Sequence, residues 1–152
     1  MNRNIPAIIF AFEKSSTGLY LSSLGGMPTI LRIIISLQNS ENISSIYIAS
    51  NQKDLIYYCE RYGVEPLNDS QIYDESFNVS TLARNINNHK QEFNELIVIN
   101  ARYPFLTTPE VDKVINSMTE DFDVFFSSKV QKIESFSIAS QKRQKNNEIQ
   151  LK

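Results

Sequence analysis

Apolar residues fall along this chain in two alternating patterns. Short unbroken runs read as buried strands, and between them apolar positions recur every three or four residues, as on one face of a helix. The first run is Ala7-Ile8-Ile9-Phe10-Ala11-Phe12. A polar loop follows over residues 13–23, then the glycine pair of Leu24-Gly25-Gly26-Met27-Pro28. Pro28 suits a first helical position, and Ile30, Ile33, Ile34 and Leu37 make one face of a helix predicted over residues 28–38. The run Ser45-Ile46-Tyr47-Ile48-Ala49 predicts the second strand. Asn51 can then cap a helix carrying Leu55, Ile56, Cys59 and Tyr62 on one side, and Gly63 ends it.

Gly63-Val64-Glu65-Pro66-Leu67 reads as a short extended piece whose proline marks an edge position or the end of the piece. A polar stretch over residues 68–78 precedes a helix predicted over residues 79–90, with Leu82, Ala83 and Ile86 inward. Leu96-Ile97-Val98-Ile99 is apolar at every position, as in a strand buried on both faces of a parallel sheet. Beyond it, Thr108 is predicted to cap a helix with Pro109 in its first turn and Val111, Val114, Ile115 and Met118 inward. A last strand is predicted over residues 122–126.

Strand–helix–strand units with short links imply an α/β fold: a mostly parallel sheet flanked by helices in three layers, because parallel neighbours need crossover connections. The compact domain is expected over residues 1–138. The polar stretch Gln141-Lys142-Arg143-Gln144-Lys145-Asn146-Asn147 reads as a solvated tail or an interrupted continuation, and a polar tail is expected over residues 139–152. In such folds the loops at the carboxyl ends of the strands meet nucleotides. The loop after the first strand has that place, yet it has no glycine between Ala11 and Ser16 to let amides close on a phosphate.

Composition changes this picture little. A 152-residue chain is one domain by size, and a net charge of −2 gives no basic surplus to draw in nucleic acid. No apolar run nears the roughly 20 residues of a membrane span, and the start of the chain has no secretory signal pattern, so a cytoplasmic location is expected. With one cysteine and one histidine in the chain, no Cys/His metal cluster is drawn, and Cys59 reads as a core residue.

The order of these motifs resembles the cytidylyltransferases that activate sugars for surface polysaccharides: the acylneuraminate, 3-deoxy-manno-octulosonate and spore-coat types. The resemblance rests on Ala7-Ile8-Ile9-x-Ala11, a Ser/Thr-containing loop, Leu24-x-Gly26-x-Pro28 and a helix. Ile46-Tyr47-Ile48-Ala49-Ser50 and Glu60-Arg61-Tyr62-Gly63-Val64 continue it. Thr81-Leu82-Ala83-Arg84 and Asn100-Ala101-Arg102-Tyr103-Pro104-Phe105-Leu106 are similar to segments of the spore-coat type. The resemblance covers residues 5–129 and implies a Rossmann-like nucleotidyltransferase fold. The reaction it implies is attack of an acidic sugar on the α-phosphate of CTP, with magnesium accompanying catalysis and pyrophosphate leaving.

Within that resemblance the site motifs are degenerate. Phe12 stands at the family's arginine place beside Ala11, and the family's downstream lysine has no match before Pro28. Lys14, Ser15, Ser16 and Thr17 are the loop residues that would meet a phosphate, although a lone lysine such as Lys14 in a polar loop is more often just solvated. Arg102 stands at the aspartate place where the octulosonate and spore-coat types bind magnesium. A guanidinium repels a cation, so no metal ligand is assigned; Arg102 reads either as a ligand for phosphate or carboxylate or as half of a surface ion pair.

Asn51 falls near the place of the base or ribose, and Asp74 and Asn78 fall in the stretch that would face the sugar; each also reads as a cap or a solvated loop residue. The chain is shorter than the family's enzymes. Three functions are carried forward: a cytidylyltransferase with reduced or lost catalysis, a nucleotide- or sugar-binding protein without turnover, and an interaction subunit pairing with a second copy or a partner chain at a sheet edge.

Overall fold

The computed structural model describes residues 3–12, 18–67 and 95–118, and the backbone of residues 135–136. Its described elements are β1 (Ile5–Ala11), a 3₁₀ turn (Leu19–Leu21), β2 (Ser23–Leu24), β3 (Met27–Pro28), α1 (Thr29–Gln38), β4 (Ile43–Ser50), α2 (Lys53–Glu60), β5 (Glu65–Pro66), β6 (Ile97–Asn100), α3 (Thr108–Ser117) and β7 (Ser135–Phe136). The helix predicted over residues 79–90 and the strand predicted over residues 122–126 lie outside the described residues.

Five strands form one sheet in the order β5-β4-β1-β6-β7. β4 and β6 both run parallel to β1, β5 runs parallel to β4, and β7 is antiparallel to β6. This is the predicted α/β architecture with a mostly parallel sheet. β1 begins earlier than its apolar run suggests, at Ile5, and takes in Pro6, which has no N–H for the ladder. A register shift between Ile5 and Pro6 accommodates it, and Ile5 N–H donates to Asn42 O at 2.8 Å.

Alternation along the strands divides the core in two. Ala7, Ile9 and Ala11 of β1, Ile46 and Ile48 of β4, and Ile97 and Ile99 of β6 face one side. There they meet Ile30, Ile33, Ile34 and Leu37 of α1, Leu55 and Cys59 of α2, and Val111 and Ile115 of α3. Ile8, Ala49, Val98, Leu96 and Leu67 form the second set, with Phe10, Phe12 and Tyr47 partly buried against it. Burial on both faces is what the uninterrupted apolar runs encode.

Three predicted helix starts shift by one residue. Pro28 is the residue before α1, with ψ 140°, rather than its first helical residue. Asn51 does not cap α2; Gln52 does, and its N–H donates to Ser50 Oγ at 3.1 Å. Pairing with Ala11 carries β4 to Ser50, so the turn into α2 falls one residue later than expected. At α3 the cap is Thr107, in a reciprocal capping box with Glu110, and Thr108 instead donates its hydroxyl to Ser36 O at 2.9 Å. Gly63 ends α2 as expected: at φ 75°, its N–H donates to Glu60 O while Val64 N–H reaches Cys59 O.

Candidate functional site

The carboxyl ends of the three central strands are level. Ala11 pairs with Ser50 and Phe10 with Asn100, and Ala101 N–H extends the β6 ladder to Phe10 O at 2.9 Å. From β1 the chain goes first to β4 and β5 on one side, then returns to β6 on the other. The connections therefore diverge between β1 and β6, and this switch point leaves a crevice at the carboxyl ends where ligands sit in open α/β sheets. Phe12 follows one strand there and Arg102 follows the other. Asn51, exposed, follows β4 along the same edge.

Phe12, which follows β1, and Tyr20 of the 3₁₀ turn are tied to one another and to α1. Tyr20, 1% exposed, donates its hydroxyl to Phe12 O at 3.2 Å. Thr29, the first residue of α1, donates its hydroxyl to Tyr20 O at 2.9 Å. The Phe12 ring packs on Phe10 with centroids 4.6 Å apart and the planes tilted by 44°. Gly25 and Gly26, at φ 60° and 82°, turn the β2–β3 hairpin, a conformation of a two-residue turn that side chains resist. Arg32 of α1 clasps the hairpin by donating from Nε to Leu24 O at 3.2 Å.

Beyond β6 the Asn100 side chain closes a tight turn. Its Oδ1 accepts from Arg102 N–H at 3.0 Å, and its backbone O accepts from Tyr103 N–H at 3.1 Å. This holds the backbone of Arg102 while its side chain is exposed. Among the described residues the Arg102 guanidinium has no ion pair; the described pair is Arg3 with Glu95 at 3.9 Å. Ser36 Oγ donates to Leu106 O at 2.7 Å, which ties the rest of this segment to α1.

Of the residues singled out by sequence, Ala11, Phe12, Asn51 and Arg102 thus lie at one sheet edge, with Ala11 fully buried as the last residue of β1. Lys14, Ser15, Ser16, Thr17, Asp74 and Asn78 lie outside the described residues. Sequence reasoning passed over Tyr20 and Asn100. Asparagine at the end of an apolar run is a turn signal that points to Asn100; nothing local marks the Tyr20 bond to Phe12.

The sequence profile described as Cytidylyltransferase matches residues 15–147, most of the chain. The protein belongs to the cytidylyltransferase family. Among curated proteins nothing matches the sequence. Solved structures share the fold at low identity. The structure of a CMP:2-keto-3-deoxy-manno-octonic acid synthetase complexed with CTP superposes with a TM-score of 0.63 at 18% identity, covering 77% of this chain and 48% of that one. A cytidylyltransferase from Leptospira borgpetersenii serovar Hardjo-bovis (strain JB197) gives 0.63 at 10% identity, with 90% and 60% covered. The 4-diphosphocytidyl-2C-methyl-D-erythritol synthase from Anaerococcus prevotii DSM 20548 gives 0.59 at 14%, with 91% and 72% covered. The chain thus spans about half the length of the first of these and 60% of the second.

The described edge does not fit the magnesium that the resemblance implies. Its side chains are an aromatic ring, two carboxamides, a hydroxyl and a guanidinium, whereas magnesium takes carboxylate oxygens. Among the described residues no three His, Cys, Asp or Glu side chains gather to hold a metal. No described helix is long and apolar enough to cross a membrane.

Proposed function

We propose that this family member binds a cytidine nucleotide, CTP or CMP, in the crevice between β1 and β6, with an acidic or phosphorylated sugar as second ligand, and that its transferase turnover is reduced or lost. The observation that carries this reading is the juxtaposition of Phe12 and Arg102 at the switch point of the sheet, fixed by the pairing of Phe10 with Asn100. Ala11 and Phe12 form the floor of the nucleotide site, and Asn51 lies on its flank. Lys14 and the hydroxyls of Ser15, Ser16 and Thr17 serve the phosphates, and Asp74 and Asn78 serve the sugar. Arg102 takes a phosphate or carboxylate oxygen directly. The setting is sugar activation for surface polysaccharide in the cytoplasm.

Turnover is expected to suffer because two supports of charge development are replaced. An apolar ring stands at one and a cation at the other, and losing one preorganised electrostatic contact costs about 10²–10³ in rate. Pyrophosphate release from CTP with candidate acidic sugars and magnesium is therefore expected at background. Sustained magnesium-dependent turnover by the pure protein would refute the loss of catalysis, and failure to bind either CTP or CMP would refute the nucleotide site.

A further inference from the structure

Control of the backbone at the carboxyl edge passes residue by residue from the sheet to the turn that carries Arg102. Asn100, the last residue of β6, pairs with Phe10, and Ala101 N–H adds a bond to Phe10 O at 2.9 Å. Ala101 is 2% exposed, so ladder and core together anchor the chain up to this point. From there Asn100 supplies the acceptors. Its Oδ1 takes the Arg102 N–H at 3.0 Å and its backbone O takes the Tyr103 N–H at 3.1 Å. One residue therefore holds the amides on both sides of the Arg102 Cα, which fixes that Cα relative to β1 while the side chain stays exposed.

An arginine that must find its backbone conformation when an anion arrives loses affinity to that ordering, whereas one set beforehand gives up only side-chain rotamers. The type of side chain at position 100 matters as much as its geometry. Aspartate can accept the same amide two residues on, and a serine hydroxyl does so more weakly. Aspartate would also place a negative charge two residues from the guanidinium and compete with an incoming phosphate for it. A neutral carboxamide makes the bond without that charge. From the two bonds to the Arg102 turn and the neutrality of their donor residue we infer that Asn100 is a positioning residue for anion binding by Arg102. The inference rests on the nucleotide reading above, in which Arg102 takes a phosphate or carboxylate oxygen, and adds to it the residue that sets the arginine in place.

Calorimetric titration of the full chain with CMP and CTP, without magnesium, tests it in the parent, Asn100→Ala, Arg102→Gln and the double variant, with thermal melts to establish that each folds. Asn100→Ala is expected to weaken CMP by about three- to tenfold, the equivalent of one lost hydrogen bond, and to have no further effect in the Arg102→Gln background. Asn100→Ser is expected to recover part of the loss. Asn100→Asp keeps the turn, so it carries the comparison even where Asn100→Ala fails to fold; it is expected to bind CMP more weakly than the parent by a margin that shrinks as salt is raised. A merely structural asparagine would weaken CMP by the same factor in both arginine and glutamine backgrounds, and that result overturns the inference. Parent-like affinity in Asn100→Ala or Asn100→Asp overturns it too, and in each of these cases a loss of CMP affinity in Arg102→Gln leaves the nucleotide reading standing. CMP binding indifferent to Arg102→Gln removes the inference together with that arginine's part in the reading, and no binding of CMP or CTP removes both.

Discussion

Burial pushes the Cys59 thiol up to about 12 from 9.0, and the neighbouring charge of Glu60 adds to the push. The side chain is fully buried on the sheet-facing side of α2, as its place in the helical pattern predicted. A thiol that keeps its proton is neither nucleophile nor ready metal ligand near neutrality. The folded state holds this proton from about pH 9 to about 12 while the unfolded chain releases it, so the contribution to stability falls as pH rises through that window. At pH 8 a thiol reagent is expected to label the native protein more than about a hundredfold more slowly than the urea-unfolded chain. Equal rates would show Cys59 to be accessible. Single residues were legible in this way where burial follows from periodicity. Phe12 was legible in position but not in environment: its ring contact with Phe10 follows from strand alternation, whereas the Tyr20 hydroxyl on its carbonyl depends on the path of the intervening chain.

The three described helices were legible in kind and misplaced at their starts, and the reason is visible at α3. Thr107 and Thr108 are both chemically fit to cap, and local sequence favours neither strongly. The choice is tertiary: Thr108 Oγ1 is drawn to Ser36 O of α1, and Ser36 Oγ returns a bond to Leu106 O, which leaves Thr107 facing the first turn. Thr107 N–H then donates to Glu110 Oε2 at 3.0 Å and its hydroxyl to the same oxygen at 2.8 Å. Thr107→Ala is expected to destabilise the protein by about 1 kcal/mol in urea unfolding. An unchanged midpoint would mean that the brace to α1, rather than the capping box, sets this helix start. The end of β4 misled for a similar reason, since pairing with β1 decides where the strand stops and Asn51 cannot report it. The strand order was likewise beyond local pattern, although the placement of Arg102 on the same sheet edge as Phe12 followed from parallel strands alone.

At the scale of the molecule the two edges of the sheet differ in make-up. The carboxyl edge carries Phe12, Asn51 and Arg102. The amino edge is bound by a polar network in which Asp112 Oδ1 accepts from the Ser40 hydroxyl and from Asn42 Nδ2, the latter at 3.0 Å. Ser40 is 5% exposed, so its hydroxyl depends on that carboxylate. Arg3 adds to the clasp by donating to Ile115 O at 3.0 Å and Met118 O at 2.7 Å, which closes the end of α3 beneath the start of β1. The seven-residue β1 separates the two edges by about 20 Å, farther than the reach of contact effects. Asp112→Ala leaves the buried Ser40 donor and the Asn42 carboxamide without their acceptor, a loss of about 1–3 kcal/mol. A lower melting temperature is therefore expected with CMP affinity unchanged at temperatures where the variant remains folded. Arg102→Gln is expected to do the reverse, weakening CMP while the melt of the free protein stays in place, because its exposed guanidinium has no described ion pair to lose. A drop in CMP affinity for Asp112→Ala equal to that for Arg102→Gln would place the binding site away from the switch point and remove the basis for assigning function to the carboxyl edge.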